Sequence, residues 1–403
     1  MPDKEFYKQI AANAEKIEPQ NAWPASQIAL CRSAGIFNLL IPGNSTSMIR
    51  SAPKEPAEES AEKTVDHATS VANDWVSIQT YIEIAKNCLT TAFILTQRQA
   101  AVARIAASSN TIAKQRWLPG LFAGESFATV GISHLTTSRQ HVTKPVLTVD
   151  LLGKSLGYNS LADRPLKDRP LKDGLVAYSS IAAGSQIEIN GYSPWVTGAA
   201  LADVIVLGAT LRDGKQVLVA VDSKLPGVVP GTGMDLTALS SSKTDQVRFE
   251  RVLVDSSNIL FGPTENVMRM GRGGGAGSLQ TSALAIGLSL RAVEYLLDET
   301  RDRPDLRAPS EQLESELNTL LHDLKNTVCE SASDHFAVTP EQIRQRANSL
   351  VLRATQSTLM VAKGAGYMKG HPAERWCREA LFFLVWSCPK SVSNANLCEF
   401  AQR

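Results

Sequence analysis

The sequence predicts an α+β protein with an N-terminal helical domain (1–125), a middle β-barrel or β-sandwich domain (126–262) and a C-terminal four-helix bundle (263–403). Two observations predict this class. Apolar residues recur at helical spacing towards both ends of the chain, whereas the middle has the β-branched runs typical of strands. The length of 403 residues, with 43% hydrophobic side chains, is sufficient for two or three domains with sizeable cores.

The first part of the chain predicts helices from Met1 to about Arg116. Breaks are expected at Pro24 and at Pro42-Gly43, because proline removes a backbone donor and glycine commonly ends a helix. Residues 51–63 are rich in Pro, Glu, Ser and Lys and have almost no apolar side chains. This stretch predicts a mobile loop, or a linker inside the helical domain.

The middle of the chain predicts strands between residues 126 and 261. The apolar runs 204–207 and 217–221 flank Asp213-Gly214, a dipeptide that suits a tight hairpin turn. Residues 163–172 repeat the sequence DRPLK directly, and their polar, proline-bearing composition predicts a duplicated surface loop. The middle domain is therefore expected to be a β domain.

Helical periodicity returns after residue 278. A first helix has its apolar residues three or four positions apart, at Leu279, Ala283, Ile286, Leu290, Val293 and Leu297. A second helix repeats the pattern at Leu313, Leu317, Leu320 and Leu324.

A third helix is expected to begin after Thr339, which can cap it together with Gln342, and a fourth spans about 373–386. Arg344 and Arg346 of the third helix are predicted to lie on solvated faces, although one of them could meet a phosphate. Four such helices predict a bundle.

Charge and cysteine usage exclude several classes of partner. The chain has 41 basic and 40 acidic side chains, so no net field favours nucleic acid or an anionic membrane. The longest apolar run, near 380–386, is far below the roughly 20 residues of a membrane span, and the N-terminus has no apolar signal core. Six scattered cysteines without a C-x-x-C pair predict neither a disulfide framework nor a metal site. A cytoplasmic protein is expected.

Four short motifs follow one another along the chain. They are WLPGLFAGE at 117–125, INGYSPWVT at 189–197 with Ala202-Asp203, VRFERVLV at 247–254 with Leu260-Phe261-Gly262, and GAGY at 364–367 with ERWCREA at 374–380. In order and spacing they resemble the acyl-CoA dehydrogenase superfamily over nearly the whole chain. The resemblance implies a flavin, FAD or alternatively FMN, between the β domain and the bundle of a homodimer or homotetramer.

The resemblance also implies contacts to that flavin. Trp195 would lie against the ring and Thr197 near its N5 atom, because an indole supplies an apolar wall and a hydroxyl tunes the electron-accepting nitrogen. Ser133 would offer a hydroxyl, Arg303 would meet the pyrophosphate, and Gly364 belongs to the glycine-rich motif. Two alternatives remain: Trp195 and Thr197 as core residues of the β domain, and Arg303 as an exposed arginine of the bundle.

The usual catalytic glutamate has no counterpart. Oxidation of an acyl thioester needs a carboxylate that takes the α-proton, and the commonest family position for it falls on Ser387. The second family position falls near 277–278, again without an acid. A Ser387 hydroxyl or a Cys388 thiol is a poor base unless its pKa is strongly lowered.

Three functions follow from this pattern. The first is a flavin-dependent oxidoreductase acting on a small molecule, such as an acyl thioester, with an electron-transfer partner. The second is a monooxygenase that receives reduced flavin from a reductase, with His134 facing the flavin C4a atom; the alternative for His134 is a solvated or structurally bonded loop residue. The third is a non-catalytic protein that keeps the fold for binding.

Overall fold

The structure is a computed structural model. It describes residues 2–41, 74–135, 144–152, 185–271, 279–329 and 338–402. Four features singled out in the sequence lie outside the described residues: the break at Pro42-Gly43, the polar stretch 51–63, the repeat 163–172 and the pair 277–278.

Six helices form the first part of the described chain. They are α1 (Lys4–Gln20), α2 (Ala25–Ser33), α3 (Ile36–Leu39), α4 (74–87), α5 (Leu89–Ala107) and α6 (Thr111–Ala123). The expected break at Pro24 is confirmed, since Pro24 is the residue directly before α2. Between α4 and α5 only Cys88 is extended, with φ −158° and ψ 104°, so a single residue separates the two helices.

The middle of the chain is a β-sheet. Its strands are β1 (Ala128–Gly131), β2 (Leu147–Leu152), β3 (Gln186–Thr197), β4 (Val204–Thr210), β5 (Gln216–Asp222), β6 (Val228–Pro230), β7 (Thr244–Asp255) and β8 (Ile259–Thr264). The strand order is β6-β7-β3-β2-β4-β5-β8, and β1 pairs in parallel with β4.

The hairpin predicted around Asp213-Gly214 is confirmed. Strands β4 and β5 pair antiparallel from Val204 with Asp222 to Thr210 with Gln216. Gly214 has φ 84°, a left-handed conformation that glycine adopts without steric cost.

The last part contains five described helices: α7 (Leu279–Glu299), α8 (Arg307–Cys329), α9 (Pro340–Gly366), α10 (Pro372–Val385) and α11 (Lys390–Ala401). The predicted capping box is confirmed, because Thr339 and Gln342 exchange both hydrogen bonds at the start of α9. Helix α11 is not foreseen by the sequence argument. Only Val392 and Asn396 of α11 are buried, so its apolar periodicity is weak.

The cores show how these parts are joined. One cluster unites α1 to α5 with the bundle, and another fills one face of the sheet. On the other face, Val204 and Val206 pack with Val102 of α5 and Leu121 of α6, whereas Ile205 faces the opposite core. Strand β4 is therefore buried on both faces, which explains its uninterrupted apolar sequence.

Polar bonds also tie the helices to the sheet. At the α5–α6 turn, the Ser108 hydroxyl donates to the Leu260 carbonyl at 2.7 Å. The Asn110 amide donates to the Ser257 and Ile259 carbonyls at 2.6 and 2.8 Å. Within the described part of the chain, no helix is both long and apolar enough to cross a membrane.

Candidate active site

Trp195 lies on the surface of the β domain. Its side chain belongs to β3 and is 39% exposed, whereas its neighbour Val196 is fully buried. The pairing of β3 with β7 is irregular between Ser193 and Val196, which indicates a bulge. Because a bulge redirects the side chains beside it, an aromatic ring on a long strand is left facing outwards.

Thr197 lies in the interior of the same strand end. Its hydroxyl is 2.9 Å from the Thr244 hydroxyl, which in turn is 2.8 Å from the Ser242 hydroxyl. Thr197 is 1% exposed, so its side chain forms part of a buried chain of three hydroxyl groups. Each hydroxyl has one proton to donate, and the chain can therefore run in one direction and present a proton at the Thr197 end.

Ser133 and His134 lie in a short 3₁₀ turn, Ser133–Leu135, that follows β1. The His134 Nε2 atom is 2.7 Å from the Gly208 carbonyl of β4. A carbonyl only accepts, so Nε2 carries the proton of this hydrogen bond. The ring is bonded to the sheet, as the structural alternative for this histidine requires, and a role beside a flavin stays a prediction.

Arg303 is engaged inside the bundle. Its Nη1 atom donates to the Val361 carbonyl of α9 at 2.9 Å and lies 3.8 Å from the Glu299 carboxylate. Two residues beyond Val361, α9 is kinked at Lys363, which has φ 53°, and Gly364 follows in open space. Arg303 thus holds the last turns of α9, and its contact with a pyrophosphate stays a prediction.

Ser387 lies in the turn between α10 and α11, exposed and with a left-handed φ of 45°. The four residues of this turn, WSCP at 386–389, include no acid. Burial raises the pKa of the Cys388 thiol, and Arg344 and a hydrogen bond from Asn348 lower it by less. Cys388 is therefore a protonated thiol at neutral pH and no substitute for a carboxylate base.

Sequence reasoning missed the buried polar residues under this turn. Arg344, predicted on a solvated face, is in fact fully buried, while Arg346 is partly exposed and bonded to Asp323 at 2.6 Å. The Arg344 Nη2 atom donates to the Trp386 carbonyl at 3.1 Å, and Asn348 donates to the Phe383 carbonyl at 3.0 Å. The signal available in the sequence was position: Arg344 follows Ile343 and precedes Ala347 on the apolar stripe of α9.

The described residues fit the ring of a flavin at the end of β3. An exposed indole offers a flat apolar surface. Two fully buried hydroxyls of the same sheet, those of Ser193 on β3 and Thr129 on β1, have no hydrogen-bond partner in the described part of the chain. A planar cofactor with polar edges would use both kinds of group.

Curated proteins similar to this chain include acyl-CoA dehydrogenases. No family model matches the chain. It is 25% identical over 218 residues to the probable acyl-CoA dehydrogenase YngJ of Bacillus subtilis, covering 50% of this chain and 57% of that protein. It is 22% identical over 327 residues to cyclohex-1-ene-1-carbonyl-CoA dehydrogenase of Geobacter metallireducens, covering 77% of this chain and 78% of that protein.

Solved structures match the chain over nearly its whole length. Butyryl-CoA dehydrogenase of Megasphaera elsdenii superposes with a TM-score of 0.73 at 14% identity, covering 98% of this chain and 95% of that one. An FAD-dependent dehydrogenase superposes with a TM-score of 0.67 at 14% identity, covering 99% of this chain and 98% of that one. Dibenzothiophene monooxygenase of Paenibacillus superposes with a TM-score of 0.66 at 16% identity, covering 98% of this chain and 94% of that one.

The fold is acyl-CoA-dehydrogenase-like, and the solved structures that share it include an FAD-dependent dehydrogenase. The chain is similar in sequence to acyl-CoA dehydrogenases at low identity, as a divergent relative would be, and the cofactor that this similarity implies is FAD.

Proposed function

We propose that the protein is a flavin-dependent oxidoreductase that binds FAD with the ring against Trp195. The observation that carries the proposal is the exposed indole beside the β3 bulge. FAD, when bound, supplies the acceptor or donor of the electrons exchanged with the substrate. Oxidation of an acyl thioester, as the names of the relatives describe for those proteins, is the first substrate class to test.

Each predicted residue has a task in this proposal. Trp195 excludes water from one side of the flavin ring. The Thr197 hydroxyl, at the end of the hydroxyl chain, donates a hydrogen bond to the edge of that ring. Ser133 offers a second hydroxyl from the turn after β1. Arg303 would have to exchange the Val361 carbonyl for a phosphate oxygen, with Gly364 leaving room beside it.

We also propose that the protein is a homodimer or homotetramer. Large apolar side chains of α9, of the turn that follows it and of α10 are strongly exposed: Met360 at 77%, Tyr367 at 83%, Met368 at 68% and Val385 at 81%. Exposed apolar side chains that form one patch mark an interface, and these four are the candidates for it. Light scattering coupled to size exclusion should give a mass of two or four chains, and a monomer at micromolar concentration would contradict the proposal.

The test of the cofactor is the visible spectrum of the freshly purified protein, with the released chromophore identified as FAD, FMN or neither. Trp195→Ala should weaken FAD retention about tenfold, because a ring contact contributes up to about 1.5 kcal/mol, whereas Trp195→Phe should retain most of it. Ile112→Ala, which truncates another exposed apolar residue on α6, is the matched control. An unchanged FAD content in Trp195→Ala would refute the placement of the ring.

A second candidate, oxygenation with supplied reduced flavin, is favoured by the missing base at Ser387. Anaerobic addition of hexanoyl-CoA to the FAD-loaded protein separates the two candidates. Bleaching of the flavin supports dehydrogenation. No bleaching, together with at least a twofold change in the rate at which oxygen reoxidises supplied reduced FAD, supports oxygenation and a reductase partner. The absence of both responses supports the non-catalytic alternative.

A further inference from the structure

The hydroxyl chain of Ser242, Thr244 and Thr197 has no fixed direction. In both of its hydrogen bonds, at 2.8 and 2.9 Å, either oxygen can be the donor. The neighbouring Ser241 differs, because its hydroxyl donates to the Ile17 carbonyl at 2.8 Å and a carbonyl only accepts. Among the described residues, the three hydroxyls of the chain bond to no carbonyl, amide or charged group. Their hydrogens can therefore all point towards Thr197 or all point towards Ser242.

The oxygen atoms of this chain are held in place by the backbone around them. Thr197 and Thr244 are paired residues of β3 and β7, and the Gly198 N–H donates to the Lys243 carbonyl at 3.1 Å. Lys243 has a left-handed φ of 50°, a conformation that persists in a non-glycine residue only where the surrounding structure imposes it. The three hydroxyl-bearing side chains are 0 to 1% exposed, so bulk water does not compete for their bonds. Only the hydrogens are free to move.

A flavin ring needs both directions of such a chain. In oxidised flavin the N5 atom accepts a hydrogen bond, whereas in reduced flavin N5 carries a hydrogen and donates one. A backbone carbonyl beside N5 would suit only the reduced ring, and a backbone N–H only the oxidised ring. A hydroxyl suits both, provided that its own hydrogen has another acceptor when N5 donates. For Thr197 that acceptor is the Thr244 hydroxyl.

We infer that Thr244 is a positioning residue for the flavin, because it lets the Thr197 hydroxyl turn from donor to acceptor when the ring is reduced. This inference rests on the proposed function, since it takes the Thr197 hydroxyl as a contact of the ring edge. The change needs only rotation of the three hydroxyl groups about their C–O bonds. Each oxygen keeps its own hydrogen, and Thr244 acts on the ring only through Thr197.

The test is the reduction potential of the bound FAD, measured by equilibration with a reference dye. In Thr244→Val the Thr197 hydrogen has no acceptor once N5 donates, so the reduced state contains an unsatisfied buried donor. Reduction should become about tenfold less favourable, which for a two-electron couple lowers the potential by about 30 mV. Thr244→Ser keeps the hydroxyl and should leave the equilibrium constant within about twofold of wild type.

The matched control is Thr355→Val on α9. Thr355 is fully buried, and its hydroxyl donates to the Val351 carbonyl of its own helix at 2.8 Å. Thr355→Val should leave the equilibrium constant for FAD reduction within about twofold of wild type. Ser242→Ala is a second variant for the case that Thr244→Val retains no FAD. It removes the acceptor of the Thr244 hydrogen and should lower the constant at least threefold.

An unchanged or raised potential in the variant that retains FAD would overturn the inference, as would an equal shift in Thr244→Ser. Loss of FAD from both Thr244→Val and Ser242→Ala would also overturn it, because the hydroxyls would then be needed for binding and not for tuning the ring. Wild-type protein that binds FAD, with an unchanged potential in Thr244→Val, refutes the inference alone. Wild-type protein without FAD refutes the proposed cofactor, and the inference with it.

Discussion

The guanidinium of Arg344, which is fully buried, donates a hydrogen bond 3.1 Å long to the carbonyl of Trp386 beneath the α10–α11 turn. Two further Arg344 groups, Nε and Nη1, have no hydrogen-bond partner among the described residues. Burial lowers the pKa of Arg344 to about 10, which leaves the side chain charged at neutral pH. A buried cation with a single strong hydrogen bond lowers the stability of the fold, since the hydration it loses is only partly replaced.

The first prediction concerns that cost. Arg344→Met should change the free energy of unfolding by less than about 1 kcal/mol, because removing an underpaired charge offsets the lost hydrogen bond. Arg344→Ala should cost about 3 kcal/mol, since it also leaves a cavity. Urea unfolding of both variants checks this. A Met variant as unstable as the Ala variant would show that the charge itself stabilises the turn.

A second prediction concerns a close contact between helices α4 and α7. A Cβ atom on Gly287 of α7 would lie 2.4 Å from the Ile82 carbonyl and 2.9 Å from the Lys86 nitrogen of α4. Gly287→Ala should therefore force α4 and α7 apart and cost about 3 kcal/mol. Gly364→Ala on α9, which would meet nothing within 4 Å, is the matched control and should be neutral or stabilising. Thermal unfolding of both variants measures the difference. Equal losses of stability in Gly287→Ala and Gly364→Ala would contradict the close approach of α4 and α7.

The hydroxyl chain behind Thr197 supplies a third prediction. Thr244→Val keeps the shape of the side chain but leaves the Thr197 and Ser242 hydroxyls without their shared partner. A loss of about 2 kcal/mol in unfolding free energy is expected, because two buried polar groups lose a bond. Thr244→Ser retains the hydroxyl and should lose less than half as much. If Thr244→Val and Thr244→Ser have the same unfolding free energy in urea, the three hydroxyl groups contribute no hydrogen-bond energy to stability.

The fourth prediction is a pH dependence from Cys31, which is fully buried. Burial, and to a smaller extent the neighbouring Cys88, raise the pKa of Cys31 from 9.0 to about 12. An acid whose pKa is raised by folding stabilises the protein below the unfolded pKa, and this contribution is lost as pH rises from about 9 towards 12.

Between about pH 8.5 and 10.5, wild-type protein should lose about 2 kcal/mol more of its unfolding free energy than Cys31→Ala. Cys398→Ala, which truncates an exposed cysteine on α11, is the control and should follow wild type. Chemical unfolding at several pH values measures the difference, and parallel curves for wild type and Cys31→Ala would contradict the burial of an uncharged thiol.

Local rules were sufficient for much of the fold. The capping box at Thr339 and the turn at Asp213-Gly214 depend on residues within a few positions of one another, and both are confirmed. The domain boundaries at 125 and 262 remain predictions, because side chains from both sides of the first boundary share a core.

The site depended on contacts that the sequence does not display. The exposure of Trp195 results from a pairing irregularity between β3 and β7, which no period in β3 reveals. The Thr197 hydroxyl finds its partner 47 residues away, and Arg303 finds the Val361 carbonyl 58 residues away. Arg344 was misplaced for a related reason: charge predicts exposure on average, whereas helical position decides it here.

The bonds from Ser108 and Asn110 to the strand carbonyls have a consequence for how the chain folds. The Ser108 bond joins residues 152 positions apart, so the α5–α6 corner acquires its final partners only after β8 has been synthesised. Contacts of such long range slow folding, because the intervening chain must be closed into a loop first. During translation the apolar face of the first helices therefore stays exposed to solvent until β8 has been synthesised. A fragment that ends after α6 should aggregate or bind a chaperone instead of folding alone.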